Sequence, residues 1–188
     1  MAPEVYEPAE DTLLFADNLD VRQGESVLEL GTGCGLLAIL AAKAGAKVVA
    51  TDINPAAIEC ARKNAEAYGL ADRIDFRLGD LFSPVAKDRF DLVMFNPPYL
   101  PVKPEEAIDE PLNRAWDGGP DGRKVIDRFL QALRKHLNPN GRAMFVQSSL
   151  ANASKTIKAL EASGFRVETK REKLPFEELF LLCCFDAR

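Results

Sequence analysis

The tetrapeptide Asn96, Pro97, Pro98 and Tyr99 holds the residue types of this chain that are best suited to chemistry. It follows the apolar run 90–95 directly, and that run predicts a buried strand. Each proline fixes its own φ angle and lacks an N–H, so the turn is rigid and its carbonyl groups have few local partners. The side-chain oxygen of Asn96 and a neighbouring backbone carbonyl can together accept both hydrogens of a planar NH2 group.

Accepting both hydrogens would activate a nitrogen that is otherwise a poor nucleophile, because the lone pair of an amide or exocyclic amine is delocalised. Two acceptors stabilise the charge that builds on this nitrogen during attack and aim it at an electrophile. Tyr99 offers a flat face on which such a group can stack. The motif therefore favours group transfer to a planar nitrogen, with an ordinary proline-rich turn after a strand as the alternative.

A second motif is a glycine-rich loop between a predicted strand and a predicted helix. Residues 26–30 predict a short buried strand, Gly31, Gly33 and Gly35 follow at once, and residues 36–43 make an apolar helix. This order is typical of a nucleotide-binding β-α unit, in which glycines let a ligand approach the backbone closely. The loop lacks the glycine spacing that places a pyrophosphate on the helix in dinucleotide-binding folds.

Acidic residues stand near the ends of three predicted strands. Asp52 ends the second strand, where a carboxylate commonly accepts hydrogen bonds from a ribose diol. Glu29 and Asp80 add carboxylates suited to a ligand that carries an ammonium group and an adenine amine. With the glycine loop, these acids favour S-adenosylmethionine (SAM) over a nicotinamide cofactor.

Alternating strands and helices predict an α/β fold. A helix is expected from Pro55 with Asn54 as its N-cap, another over 122–137, and residues 138–141 should end the latter. The connection between the last two predicted strands, 165–170 and 179–185, is too short for a helix, so they should pair antiparallel. We therefore expect a Rossmann-like methyltransferase sheet of seven strands, mostly parallel with a C-terminal antiparallel strand, and helices on both faces.

Composition narrows the class of protein further. Apolar residues make up 47% and charged residues 28% of 188 residues, which suits one domain over 1–188. The net charge of −5 argues against a general nucleic-acid binder, although a local basic patch stays possible. No signal peptide and no bilayer-spanning apolar run is evident, so a cytoplasmic location without membrane contact is expected.

Three further features complete the expectations from the residues themselves. Residues 1–20 should form a cap segment with a helix, and 101–121 a long irregular loop near the substrate. That loop holds the only tryptophan, Trp116, for which substrate contact and simple packing are equally open. The four cysteines lack C-x-x-C spacing and His136 is the sole histidine, so neither a metal site nor a disulfide framework is expected.

Five segments together resemble one known family, the HemK-like class I SAM-dependent methyltransferases. They are residues 5–12, 28–35, 51–55, 96–99 and 116–123. The first and last of them are similar to the short archaeal and eukaryotic branch, and the resemblance covers essentially the whole chain. This branch methylates the glutamine of the Gly-Gly-Gln loop in class-I translation release factors.

The resemblance implies a role for each matching residue. The residues implied to bind SAM, which leaves as S-adenosylhomocysteine, are Thr12, Glu29, Gly31, Gly33, Asp52, Ile53, Asp80, Leu81 and Asn96. Those implied to be catalytic are Asn96, the Pro97 carbonyl and Tyr99, and Pro98 and Glu10 are implied to border the substrate. Trp116 stays the candidate substrate contact of the loop 101–121. The resemblance also implies a heterodimer with a small zinc-binding activator protein that pairs with an exposed strand edge.

Other functions fit the same motif. An exocyclic base amine, adenine N6 or cytosine N4, is also planar, and a flipped base could occupy the same acceptors. Against this stand the acidic net charge and the lack of a separate target-recognition domain. Protein lysine methylation and a non-catalytic SAM-binding module are further alternatives, although an sp3 amine does not need two acceptors.

Overall fold

The computed structural model describes residues 4–103, 105 and 112–186, and one mixed sheet runs through them. The strands are β1 (Ser26–Leu30), β2 (Lys47–Asp52), β3 (Ile74–Leu78), β4 (Phe90–Phe95), β5 (Leu137–Ser148), β6 (Phe165–Lys173) and β7 (Glu178–Asp186). The α-helices are α1 (Glu10–Asp17), α2 (Leu36–Lys43), α3 (Pro55–Ala67), α4 (Lys124–Leu133) and α5 (Ala153–Ala162).

The sheet has the strand order β3-β2-β1-β4-β5-β7-β6. The first five strands pair in parallel, whereas β7 is antiparallel to both β5 and β6. The fold class predicted from the sequence, including the antiparallel C-terminal strand, is therefore confirmed. Strand order reverses between β1 and β4, and in open α/β sheets ligands bind beside the carboxyl ends of the strands at such a point.

Two apolar clusters cover the two faces of the sheet. One contains residues of α1, α2 and α3, and the other contains residues of α4 and α5 packed with a group of phenylalanines. This division follows from right-handed crossovers, which put the helices on one face while the chain moves from β1 to β3 and on the other face afterwards. The central strands β1 and β4 are buried on both faces, as their mostly apolar sequences predicted.

The helix start predicted at Asn54 is confirmed by its capping geometry. The Asn54 side chain accepts a hydrogen bond from the Ala56 N–H at 2.9 Å, and Pro55 is the first residue of α3. None of the described helices has both the length and the apolar character needed to cross a membrane.

Residues 138–141 differ from the expectation that they end a helix. They lie inside β5 as a bulge, because the pairing of Phe90 with Leu137 resumes only at Leu92 with Arg142. Pro139 cannot donate to the ladder and Asn140 has a φ of 61°, so regular pairing is interrupted there. The Asp91 carboxylate compensates by accepting from the Asn138 side chain at 2.8 Å.

The helix predicted over 122–137 is shorter than expected. It ends at Leu133 and continues as the 3-10 turn Arg134–His136. His136 is buried with its ring stacked on Phe82, centroid to centroid 4.3 Å, as a structural residue would be. Of the loop predicted over 101–121, residues 104 and 106–111 lie outside the described part of the chain.

Candidate active site

The carboxyl ends of β1, β2, β3 and β4 meet at a cavity of about 610 Å³. This volume lies in the usual range for small-molecule sites. The glycine loop after β1 and the proline-rich turn after β4 form adjacent parts of its wall. The two motifs that the sequence separates by more than 60 residues are therefore brought together by the pairing of β1 with β4.

The glycine loop leaves backbone exposed to the cavity. Gly31 and Gly33 have φ angles of 63° and 55°, which non-glycine residues rarely adopt. A side-chain carbon placed on Gly33 would meet nothing within 4 Å, so a ligand can approach the backbone there. Gly35 serves packing instead, since a carbon at that position would lie 2.9 Å from the Ala61 side chain on α3.

Glu29 is buried beneath this loop with only 3% of its surface exposed. One of its carboxylate oxygens accepts from the Thr32 hydroxyl at 2.5 Å and from the Ala38 N–H at 3.1 Å. Desolvation outweighs these hydrogen bonds and raises the pKa of Glu29 to about 8. A buried acid of this kind gains most from a cationic partner, which makes Glu29 suited to an ammonium group.

Asp52 and Asp80 occupy the ends of the neighbouring strands. The two oxygens of Asp52 accept from the Gly33 N–H at 2.9 Å and the Asn54 N–H at 2.8 Å, which fixes the carboxylate at the cavity wall. Burial raises the pKa of Asp52 despite these bonds. Asp80 pairs with Arg128 of α4 at 2.5 Å, and both side chains are about half exposed.

Asn96 is held by its nitrogen, which leaves its oxygen without a partner. The Asn96 Nδ2 group donates to Asp11 Oδ2 at 3.0 Å and contacts Thr12 Oγ1 at 3.3 Å. Because an ionised carboxylate only accepts hydrogen bonds, Asp11 dictates which end of the amide faces it. Asn96 Oδ1 is buried and has no hydrogen-bond partner within the described residues. Such an atom calls for an explanation, and a ligand N–H is the simplest one.

Two tyrosines share the same carboxylate. The Tyr99 hydroxyl donates to Asp11 Oδ2 at 3.1 Å, and the Tyr6 hydroxyl lies 3.3 Å from both oxygens of Asp11. Burial, followed by the negative charge of Asp11, raises the pKa of both phenols well above the ordinary value. Both therefore stay protonated, so they donate to Asp11 and do not act as bases.

Most of the residues expected at the site line the cavity. These are Thr12, Glu29, Gly31, Gly33, Asp52, Ile53, Asp80, Leu81, Asn96, Pro97, Pro98, Tyr99 and Trp116. Glu10 is different: it is exposed and does not line the cavity, whereas its neighbour Asp11 does. Trp116 is half-buried, and its carbonyl accepts from the Leu100 N–H at 3.0 Å.

Asp11 and Arg128 were not predicted from the sequence. Helical periodicity could have identified Asp11 as a buried residue, because Asp11 shares the buried face of α1 with Leu14 and Phe15, whereas Leu13 points outward. An acid on the apolar face of a helix needs a partner, and Asn96 and the tyrosines supply it. Arg128 lies on the exposed side of α4, where nothing in the pattern distinguishes it.

The fold and the cavity define the class of protein. A sheet of this order with its reversed C-terminal strand, a glycine loop after β1 and acids at the carboxyl ends of β1, β2 and β3 make a class I methyltransferase. The profile of the family described as methyltransferase small domain matches residues 8–113, more than half of the chain. The chain belongs to this family, and within it to the HemK-like branch.

Relatives of known sequence and structure support this assignment. A protein of Methanocaldococcus jannaschii, named as a putative protein N5-glutamine methyltransferase, is 47% identical over 96% of this chain and 91% of its own length. "Methyltransferase HEMK2" of Mus musculus is 35% identical over 88% of this chain and 82% of its own length. A chain of the E. cuniculi Mtq2-Trm112 complex, responsible for methylation of the eRF1 translation termination factor, superposes with a TM-score of 0.76. The two chains are 27% identical, and the superposition covers 98% of this chain and 99% of the other.

The raised pKa of Glu29 predicts a dependence of stability on pH. Its pKa of about 8 in the folded protein exceeds the ordinary glutamate pKa of 4.5, so the folded state keeps a proton that the unfolded state loses. Stability should therefore fall between about pH 4.5 and 8, with a slope from this group of about 1.4 kcal/mol per pH unit. The Glu29→Gln variant cannot ionise at this position and should lack this part of the slope.

Urea unfolding of the ligand-free protein at pH 5.0, 6.0, 7.0 and 8.0 measures the effect. The difference in unfolding free energy between the wild type and Glu29→Gln should change steadily in favour of the variant as pH rises. Parallel stability curves would show that Glu29 ionises in the folded protein as easily as in water.

Proposed function

We propose that this protein is a SAM-dependent methyltransferase that methylates the side-chain amide nitrogen of a glutamine in the Gly-Gly-Gln loop of a class-I translation release factor. The observation that carries the proposal is the buried, unpartnered Asn96 Oδ1 at the cavity, fixed by Asp11 through the other end of the amide. The names of the relatives point the same way, since they include a protein N5-glutamine methyltransferase and a complex that methylates eRF1.

The cavity has the donors and acceptors that SAM requires. Glu29 offers a buried carboxylate to the ammonium group, and Asp52 offers a fixed carboxylate to the ribose hydroxyls. Ile53 and Leu81 supply apolar surface beside Asp80 for the adenine ring. The open face of Gly33 permits close approach of the ligand. Bound SAM supplies an electrophilic methyl group on a positively charged sulfur.

The chain's own residues then prepare the nitrogen that accepts the methyl group. Asn96 Oδ1 and the Pro97 carbonyl accept the two hydrogens of the glutamine NH2, which orients the nitrogen and stabilises the positive charge it gains. Tyr99 borders the amide plane, and its hydroxyl stays on Asp11. An N–C bond forms as an S–C bond breaks, and the nitrogen then loses one proton. An N-alkylated amide cation is a strong acid, so water suffices as acceptor.

A second candidate is methylation of an exocyclic base amine, because such an amine offers the same two hydrogens. The net charge of −5 disfavours a nucleic-acid substrate, since phosphate contacts dominate the affinity of proteins for nucleic acids. A release factor acts on ribosomes, so the proposed function also places the enzyme in the cytoplasm.

Transfer of a labelled methyl group distinguishes these substrates. Purified protein, with and without an activator subunit, is incubated with labelled SAM and either the release factor of the same organism or a mixture of oligonucleotides. We expect label in the release factor, on the loop glutamine by mass spectrometry, and none when that glutamine is replaced by alanine. Label in the oligonucleotides with an unlabelled release factor would contradict the proposal.

Substitution of Asn96 or Asp11 should lower turnover far more than it weakens SAM binding. The Asn96→Ala variant removes an acceptor and should lower kcat by about 100-fold or more. Asp11→Asn no longer dictates the orientation of the Asn96 amide and should lower kcat by about 10-fold or more. The dissociation constant for SAM, measured by calorimetry, should change little in both variants.

A matched pair of control variants exists elsewhere in the fold. Asn138 donates to the Asp91 carboxylate at 2.8 Å as Asn96 donates to Asp11, but neither Asn138 nor Asp91 lines the cavity. Asn138→Ala and Asp91→Asn should therefore keep turnover when compared at equal folded fraction. Normal turnover in Asn96→Ala would refute the role given to its side-chain oxygen.

We also propose that the enzyme works with a small zinc-binding activator protein, since a relative of 27% identity is solved in the Mtq2-Trm112 complex. Pairing with a strand needs an open sheet edge, and β3 and β6 are the edge strands of the described sheet. β6 is rich in charged side chains, which discourage pairing, whereas β3 presents Leu78 with 58% of its surface exposed. β3 is therefore the favoured edge.

Co-expression with the activator tests this partner. We expect the two proteins to co-purify with zinc in the complex, and Leu78→Lys to weaken the complex while leaving the isolated chain folded. Leu150→Lys, a change at another apolar residue with 51% exposure, serves as the control. Equal complex formation by both variants would place the contact elsewhere.

A further inference from the structure

Residues 116–123, here called the glycine clamp, pair with the backbone that follows the proline-rich turn. The Leu100 N–H donates to the Trp116 carbonyl at 3.0 Å, and the Leu100 carbonyl accepts from the Gly118 N–H at 2.9 Å. One residue pair further, the Val102 N–H donates to the Gly119 carbonyl at 2.9 Å. The segment just after Tyr99 is thus held against the clamp by one parallel bridge, Leu100 with Asp117, and one further backbone hydrogen bond.

The clamp can approach the turn closely because Gly118 and Gly122 have no side chain that would clash there. A carbon added to Gly122 would overlap the Tyr99 carbonyl oxygen and lie 3.0 Å from the Ala151 side chain. A carbon added to Gly118 would lie 2.7 Å from the Gly122 backbone. Gly122 also has a φ of 70°. The Tyr99 carbonyl is therefore in direct contact with a position that only glycine fits.

The next residue, Arg123, ties the clamp to the other side of the fold. Its side chain is buried, and one guanidinium nitrogen donates to the Ala151 carbonyl at 2.8 Å, the Asn152 carbonyl at 3.2 Å and the Thr156 hydroxyl at 2.8 Å. The second nitrogen pairs with Asp127 at 2.6 Å. Since arginine stays charged, these acceptors hold it firmly at the start of α5.

From this geometry we infer that Gly122 and Arg123 are positioning residues for methyl transfer. They fix the turn at residues 96–99 through the Tyr99 carbonyl and the paired backbone after it, while Asp11 fixes it through side chains. This inference rests on the proposed function. Trp116 then contributes to the clamp through its carbonyl. The clamp as a whole supports the turn that carries the two acceptors, Asn96 Oδ1 and the Pro97 carbonyl.

Gly122→Ala tests the inference against a matched glycine. Gly69, which follows α3, has a φ of 68°, and a carbon added there would meet nothing within 4 Å. Gly69→Ala therefore carries nearly the same backbone strain as Gly122→Ala without the contact with Tyr99. Each variant is assayed at a temperature where it is folded, for the dissociation constant of SAM, for kcat and KM with the release factor, and for amide hydrogen exchange.

We expect faster exchange of the Leu100, Val102 and Gly118 amides in Gly122→Ala and unchanged exchange in Gly69→Ala. The kcat of Gly122→Ala should fall by about tenfold or more, because displacement of a reacting group by 1 Å is enough for such a loss. SAM affinity should be unchanged in both variants. A loss that is merely structural would instead lower SAM binding and turnover together, in proportion to the folded fraction.

Should Gly122→Ala not fold, Arg123→Lys provides the same measurements. Lysine keeps the charge but cannot hold the start of α5 and Asp127 together, so exchange at the three amides and kcat should shift in the same direction. Unchanged exchange in the folded variant, or a smaller loss of kcat than tenfold with exchange increased, overturns the inference. Lack of transfer by the wild type would count against the proposed function alone, since the exchange measurement still tests the clamp.

Discussion

The hydrogen bond from Asn96 to Asp11 is the constraint on which the site depends. A primary amide can turn over to exchange its oxygen and nitrogen, and only a partner of one type prevents this. Asp11, an acceptor with 5% of its surface exposed, is such a partner. It leaves Asn96 Oδ1 buried and unpartnered within the described residues, which costs free energy in the absence of a ligand.

Three parts of the fold hold the turn that carries Asn96. β1 and β4 pair side by side, so the glycine loop and the proline-rich turn share one wall of the cavity. α1 brings Asp11 across the turn and fixes side chains, whereas the glycine clamp contacts the backbone of Tyr99 and Leu100. Rigid support from independent elements is what a reaction with a weak nucleophile requires, since much of its acceleration comes from orientation.

Much of this arrangement could be predicted from local sequence. Mostly apolar strands such as Phe90–Phe95, the glycine loop and the capping of α3 by Asn54 are set by nearby residues, and the structure has them where the sequence placed them. Residues 138–141 were wrongly expected to end a helix, because a bulge inside β5 depends on the distant Asp91. Local turn chemistry does not distinguish the two.

Prediction of the candidate site from sequence has the same limit, because contacts between distant segments are not evident in local sequence. Glu10 and Asp11 look alike in sequence, and only the orientation of α1 decides that Asp11 faces Asn96 while Glu10 faces outward. The glycines of the clamp could be recognised as a loop signal, yet their contact with the Tyr99 carbonyl is a tertiary feature. The predictable part of the site is thus its chemistry, and the unpredictable part is the set of residues that hold the chemistry in place.

A structure of the protein with S-adenosylhomocysteine and a Gly-Gly-Gln peptide measures the central claim most directly. The account predicts the glutamine amide nitrogen within hydrogen-bond distance, about 2.7–3.2 Å, of both Asn96 Oδ1 and the Pro97 carbonyl. Asn96 Nδ2 should still lie on Asp11. A glutamine bound elsewhere, or Asn96 Oδ1 hydrogen-bonded to the protein's own chain in that complex, would contradict it.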